Sequence, residues 1–238
     1  VDLLREADDV PEGAVPNSPI DAASAEATIG TDALEPAAAP ASPVQVIVID
    51  PGHGGFETGI EGDESALEKT IVLDIAKRTK AALEAKISQS VVLTRDEDIA
   101  LNEAQRTALV QNSAANLLIA IHTGSSLSPK VRGTTLIYES ASLHVHGRRT
   151  GELEEARRLA GLLAESLKEV SAVPLRGIDG AETRSMAHPG TPSVMIEIGC
   201  LTNSEDAAAL RDESTRAAIA AAIAAGIARF VGAEGAAP

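Results

Sequence analysis

Two histidines and two glutamates stand where apolar runs stop, and these residue types at strand ends can build a hydrolytic metal centre. His53 follows VQVIVIDPG, His122 closes NLLIAIH, and Glu197 interrupts PSVMIEIG. Glu68 opens a helical segment after the His53 loop. Two neutral imidazoles and a carboxylate are zinc-type ligands, and three such ligands leave a fourth position for exchangeable water. A further carboxylate beside them has the chemistry of a general base and acid.

Each of these residues also has a plainer role. Pro51, Gly52, Gly54 and Gly55 permit a tight path around His53, and the same turn could simply let the ring bond the backbone. PGHGG lacks the Lys and Ser or Thr of a P-loop, so it is a poor match for phosphate binding. Ser65 and Glu68 fit an S-x-x-E capping box, which would occupy the carboxylate with a helix end. His122 could be a structural, hydrogen-bonded histidine. Glu197 lies among Val194, Met195, Ile196 and Ile198, where an unpaired charge is costly. A metal, a bound water or a basic partner would satisfy it, as would a salt bridge within the sheet. What favours catalysis is convergence, because open α/β sheets place their sites outside the carboxyl ends of the strands.

The elements that must position these groups alternate. VQVIVID, SVVLTR, NLLIAIH, TTLIYES and PSVMIEIG read as strands, several as short apolar runs suited to burial on both faces. Between them, helices are predicted over about 68–84, 101–115 and the amphipathic stretch GELEEARRLAGLLAESLKEV. A short helix near 204–210 and an Ala-rich one over 214–230, weakened locally by Gly226, close the chain. The alternation predicts an α/β domain with helices on both sheet faces. Residues 1–43 are acidic and rich in Ala and Pro and read as a flexible lead, 44–232 as the folded domain, and 233–238 as a frayed tail.

Composition narrows the function classes. The net charge of −15, from 20 Lys and Arg against 35 Asp and Glu, argues against nucleic acid or an anionic membrane as partner. Aromatics are 1% of the chain, too few for broad stacking platforms. No apolar run approaches the roughly 20 residues of a transmembrane helix. The acidic start VDLLREADDV does not have a signal-peptide pattern. A single cysteine, Cys200, cannot form an intramolecular disulfide and reads as a small wall residue. His144 and His146 read as surface or substrate-side groups, and His188 as a loop residue. Arg95 and Arg106 read as partners of local acids or loop anchors, and Asn203 as a turn into the short helix.

The ordered set VIDPGHGG, the downstream Glu68–Lys69, VVLTR, LNEAQR, LLIAIH and VMIEIGCLTNSED resembles the zinc-dependent N-acetylmuramoyl-L-alanine amidases over about 44–232. The resemblance implies a mostly parallel, about six-stranded sheet flanked by helices. It implies a Zn2+ cofactor held by His53, Glu68 and His122, with Glu197 as the catalytic glutamate. The implied reaction cleaves the amide between the lactyl group of N-acetylmuramic acid and L-alanine of the peptidoglycan stem peptide. The implied location is the periplasm or cell wall. Three stretches depart from the family pattern: FETGIEGDESALEK follows the first histidine loop, IHTG stands in place of a frequent IHAN, and Cys200 in place of a usual Phe. The 123–150 interval is short and punctuated by Gly, Ser and Pro, which predicts an open cleft without a long autoinhibitory insertion. The alternatives are an inactive peptidoglycan- or partner-binding domain, or another zinc hydrolase such as a carboxypeptidase or sugar deacetylase.

Overall fold

Short apolar runs become the central strands, and a computed structural model describes them within residues 44–62, 66–139, 150–181, 186 and 191–232. All of these belong to the unit Pro36–Pro238. The strands are β1 (Val46–Pro51), β2 (Ser90–Leu93), β3 (Leu117–Gly124), β4 (Thr134–Glu139), β5 (Leu175–Ala181) and β6 (Ser193–Cys200). They form one six-stranded sheet in the order β2-β1-β3-β6-β4-β5. β2, β1, β3 and β6 run parallel, so their carboxyl ends gather at one edge. β4 is antiparallel to β6 and parallel to β5. The predicted α/β class and mostly parallel sheet are what the structure contains.

β5 is the strand that residue patterning does not reveal. LRGIDGA carries two glycines and an aspartate, and all seven of its positions are at least partly open at a sheet edge. An edge strand pairs on one side only and needs no continuous apolar character.

Helices α1 (Glu68–Glu84), α3 (Thr150–Leu167) and α5 (Glu213–Phe230) cover one face of the sheet. Ile71, Ile75 and Leu83 of α1 join Ile47, Ile49, Ile119 and Ile121 of the strands in the main core. The other face is packed by α2 (Glu103–Asn112), whose Val110 meets Val48 and Leu118. This is the expected arrangement of helices on both sides. α2 is shorter than its periodicity predicts because Asn102 and Gln105 form a capping box at its start, and Ala114 turns left-handed just past its end. Asn203 caps α4 (Ser204–Arg211) by accepting from Glu205 and Asp206 backbone N–H groups. No described helix is long and apolar enough to cross a membrane.

Candidate metal centre

The His53 loop begins as a continuation of the sheet. Gly52 N–H donates to the Ile121 carbonyl at 3.0 Å, so the loop leaves β1 still attached to β3. His53 then takes φ +56°, left-handed space that a non-glycine residue enters only when its surroundings hold it there. Two arginines do the holding. Arg95, 2% exposed, donates to the Pro51 carbonyl at 3.0 Å, to Gly52 at 2.7 Å and to Lys69 at 2.9 Å. Arg106 pairs with Asp50 and donates to the His53 carbonyl at 2.7 Å. Both residues are the loop anchors that the sequence allowed for.

Glu68 comes to the same place from the first turn of α1. Its residue is 1% exposed, and each carboxylate oxygen has two neighbours. Oε1 accepts from the Thr123 N–H at 2.9 Å and lies 3.1 Å from His122 Nδ1. Oε2 accepts from the Ile60 N–H at 2.9 Å and lies 3.3 Å from His53 Nε2. Burial alone would raise the pKa of this carboxyl. The contacts with His122, His53 and the Ile60 and Thr123 amides outweigh it and hold the group far below its usual range. Glu68 is therefore an anion at neutral pH. The capping-box alternative does not describe this geometry: Leu67 is the N-cap, it makes no side-chain cap, and Glu68 is the first helical residue rather than the third. Ser65 lies outside the described residues.

The three side chains form a donor cluster with ligand atoms within 4.8 Å of one another. The two imidazoles meet edge to face, centroids 5.1 Å apart at 85°. Bond lengths of about 2.0–2.1 Å to nitrogen and oxygen put the ligands of a tetrahedral zinc roughly 3.3 Å apart. His122 Nδ1 lies 3.1 Å from Glu68 Oε1, and His53 Nε2 lies 3.3 Å from Oε2. Two imidazoles and one buried carboxylate thus form a set that could chelate a metal ion. A glycine makes room for two of them. A Cβ on Gly59, itself at φ +70°, would lie 2.5 Å from Glu68 Oε2 and 2.7 Å from His53 Cδ2.

Glu197 faces this cluster from β6, where it pairs in register with His122 of β3. It lines a cleft of about 300 Å³ together with His53, Glu68, His122 and Met195. Among the described residues its side chain makes no hydrogen bond or ion pair. Burial pushes its carboxyl above the ordinary value, and His122 and Arg176 oppose that rise only in part. A second hollow of about 340 Å³, beside Leu67, Asp74 and Arg216, contains no such donor set.

The remaining candidates separate cleanly. His144, His146 and His188 lie outside the described residues, as does the 140–149 part of the interval expected to stay open. Cys200 is buried with Sγ 3.1 Å from the Thr202 hydroxyl. Sequence patterning missed Asp206, which is 0% exposed and accepts from the Gly133 N–H at 2.6 Å and the Cys200 N–H at 2.9 Å. It ties the end of β6 to the start of β4 and pairs with Arg132. An aspartate in the first turn of a helix reads as an ordinary dipole partner, so nothing local distinguishes it.

Comparison with known proteins agrees with this architecture. The sequence pattern of the N-acetylmuramoyl-L-alanine amidase family matches residues 47–229. The chain is 29% identical over 219 residues to N-acetylmuramoyl-L-alanine amidase AmiC of Neisseria meningitidis serogroup B, covering 78% of this chain and 52% of that protein. It therefore spans about half the length of that curated relative. It is 26% identical to AmiA of Escherichia coli K12, covering 77% of this chain and 75% of that one. The catalytic domain of CwlV, an amidase from Bacillus (Paenibacillus) polymyxa var. colistinus, superposes with a TM-score of 0.70 at 29% identity. That superposition takes in 80% of this chain and 99% of CwlV's domain. A family match spanning the whole sheet and its flanking helices leaves one assignment: this chain belongs to the N-acetylmuramoyl-L-alanine amidase family.

Proposed function

We propose that this chain hydrolyses the amide between the lactyl group of N-acetylmuramic acid and L-alanine of the peptidoglycan stem peptide. The observation that carries the reading is the His53–Glu68–His122 donor cluster facing an unpartnered Glu197 across one cleft. His53, Glu68 and His122 would hold one Zn2+, which when bound lowers the pKa of a water ligand and polarises a carbonyl. Glu68 stays anionic because its contacts with His122 and His53, and then the Ile60 and Thr123 amides, outweigh its burial. Glu197 accepts the proton of the attacking water and returns it to the departing alanine nitrogen, which leaves as an amine. Its raised pKa brings the carboxyl closer to the range where one group performs both transfers. The catalytic unit is 44–232, with 1–43 as a lead and 233–238 as a tail. Its place of work is the periplasm or cell wall, where this polymer lies.

The test is a digest of purified peptidoglycan with zinc-loaded protein. New L-alanine amino termini should appear while the glycan strands keep their length. Cut glycan, released acetate, or no new ends at all would overturn the reading. Glu197→Ala should remove turnover while zinc content, measured by elemental analysis, stays at one per chain.

A further inference from the structure

β5 carries an exposed arginine that the hydrolytic set does not use. β4 and β5 pair out of step: Thr134 faces Leu175 and Thr135 faces Gly177, so Arg176 is an extra residue without a partner on β4. A bulge of this kind re-aims a side chain away from regular alternation. The row it adjoins runs His122, Glu197, Thr135, Gly177 across four strands. Residues directly opposed in a sheet project to the same face, so the row starts at the donor cluster and passes through Glu197 towards β5. A Cβ on Gly177 would meet nothing within 4 Å, so the row ends in open space.

Gly177 is two strand spacings from Glu197, roughly 10 Å. Arg176 is exposed and makes no hydrogen bond or ion pair among the described residues. The chain as a whole has the opposite sign, with a net charge of −15. On such a surface an exposed, unpaired cation is a docking point for an acidic group.

We infer that Arg176 anchors a carboxylate on the peptide half of the substrate, one to two residues beyond the bond that is cut. An extended peptide advances about 3.3–3.6 Å per residue. Two residues together with the arginine's own long side chain bridge the gap between Glu197 and β5. A guanidinium engages a carboxylate through two parallel N–H bonds, which a neutral sugar cannot match. This inference rests on the amide-hydrolase reading of the same cleft.

Two soluble muramoyl peptides, differing only in a free carboxylate or a carboxamide at the second peptide residue, separate the possibilities. With zinc-loaded protein, Arg176→Ala should raise KM for the carboxylate substrate about tenfold and change kcat less than about twofold. Wild type should show the same loss on the carboxamide, Arg176→Ala should not distinguish the two, and Arg176→Lys should recover part of the difference. Equal KM values for wild type and Arg176→Ala on the carboxylate substrate would overturn the inference while leaving the hydrolase reading intact. A second readout does not depend on turnover. Titrating the acidic peptide product into metal-free protein should shift β5 amide resonances in wild type and not in Arg176→Ala. Peptide-dependent shifts without hydrolysis of either substrate would sink the hydrolase reading and keep the carboxylate site. Identical titrations in both proteins would sink the site.

Discussion

The space beside Gly52 is filled by the His122 imidazole: a Cβ built on Gly52 would lie 2.1 Å from Cε1 and 2.5 Å from Nδ1. One strand's backbone thus seats the other strand's ring, and no bulkier residue fits without moving it. Gly52→Ala should therefore displace His122 and weaken zinc binding by about 10–100-fold, the range seen when a ligand's support is removed. Competition against a chelator measures this, with circular dichroism to show that the fold persists. Unchanged affinity would mean that the ring can move without leaving the ligand set.

Glu197→Gln should stabilise the metal-free protein while removing turnover by roughly 100-fold or more. Burial pushes the Glu197 carboxyl above 4.5, so its ionised form is penalised in the folded state. That penalty grows as pH rises through the raised value and is absent below 4.5, where folded and unfolded chains are both protonated. After discounting for solvent, the variant should gain less than about 1 kcal/mol at neutral pH, or roughly 1–3 °C in Tm. Calorimetry at neutral pH and at about pH 4 checks both limbs, and an equal Tm at neutral pH would refute the prediction.

Asp74 joins two helices of the core. It accepts from Arg216 of α5 at 2.5 Å and from Arg78 of its own helix at 3.0 Å. Burial works against its ionisation, but hydrogen bonds from Arg216 and then Arg78 hold its carboxyl below 3.8. A depressed pKa contributes stability above pH 3.8 that is lost as pH falls through the folded value. Asp74→Asn should cost about 1 kcal/mol near pH 7, and the difference should shrink towards zero by about pH 3. Urea midpoints at the two pH values decide the matter. A pH-independent difference would locate the effect in packing instead.

Gly226 looks like a weak point in α5, and replacing it by alanine should gain up to about 1 kcal/mol of helix propensity. The structure puts it where α5 meets α3. A Cβ there would lie 2.9 Å from Leu163 Cα and 3.2 Å from the Leu162 carbonyl oxygen. Overpacking of this kind costs about 1–3 kcal/mol, because backbone rather than a flexible side chain must yield. Gly226→Ala should therefore be net destabilising, measured as a lower urea midpoint. A stabilised variant would show that the helices can part at little cost.

Much of the fold is legible because local patterns report local burial. VQVIVID, NLLIAIH and PSVMIEIG each become a buried strand, and α1 begins and ends at the predicted residues. β5 escapes this reading because an edge strand with two glycines has no burial pattern to show. The antiparallel direction of β4 has no local signal either, since the same apolar run serves both directions. The anchoring arginines could be named from the sequence, but not the four carbonyls that Arg95 reaches. Three of those carbonyls, on Pro51, Gly52 and Lys69, are brought to Arg95 from 26 to 44 residues away in the chain.

By itself the sequence determined which groups end up at the edge of the sheet. Apolar runs that stop at His53 and His122, with glycines around the first, leave few other places for those rings. Glu68 shows what only the tertiary structure decided. From its neighbours alone, a helix cap and a site facing two histidines were equally open. The choice follows from Ile60 and Thr123, whose backbone N–H groups meet the two carboxylate oxygens from separate segments. A buried charge goes wherever donors from distant parts of the chain can satisfy it, and that condition exists only once the sheet has assembled.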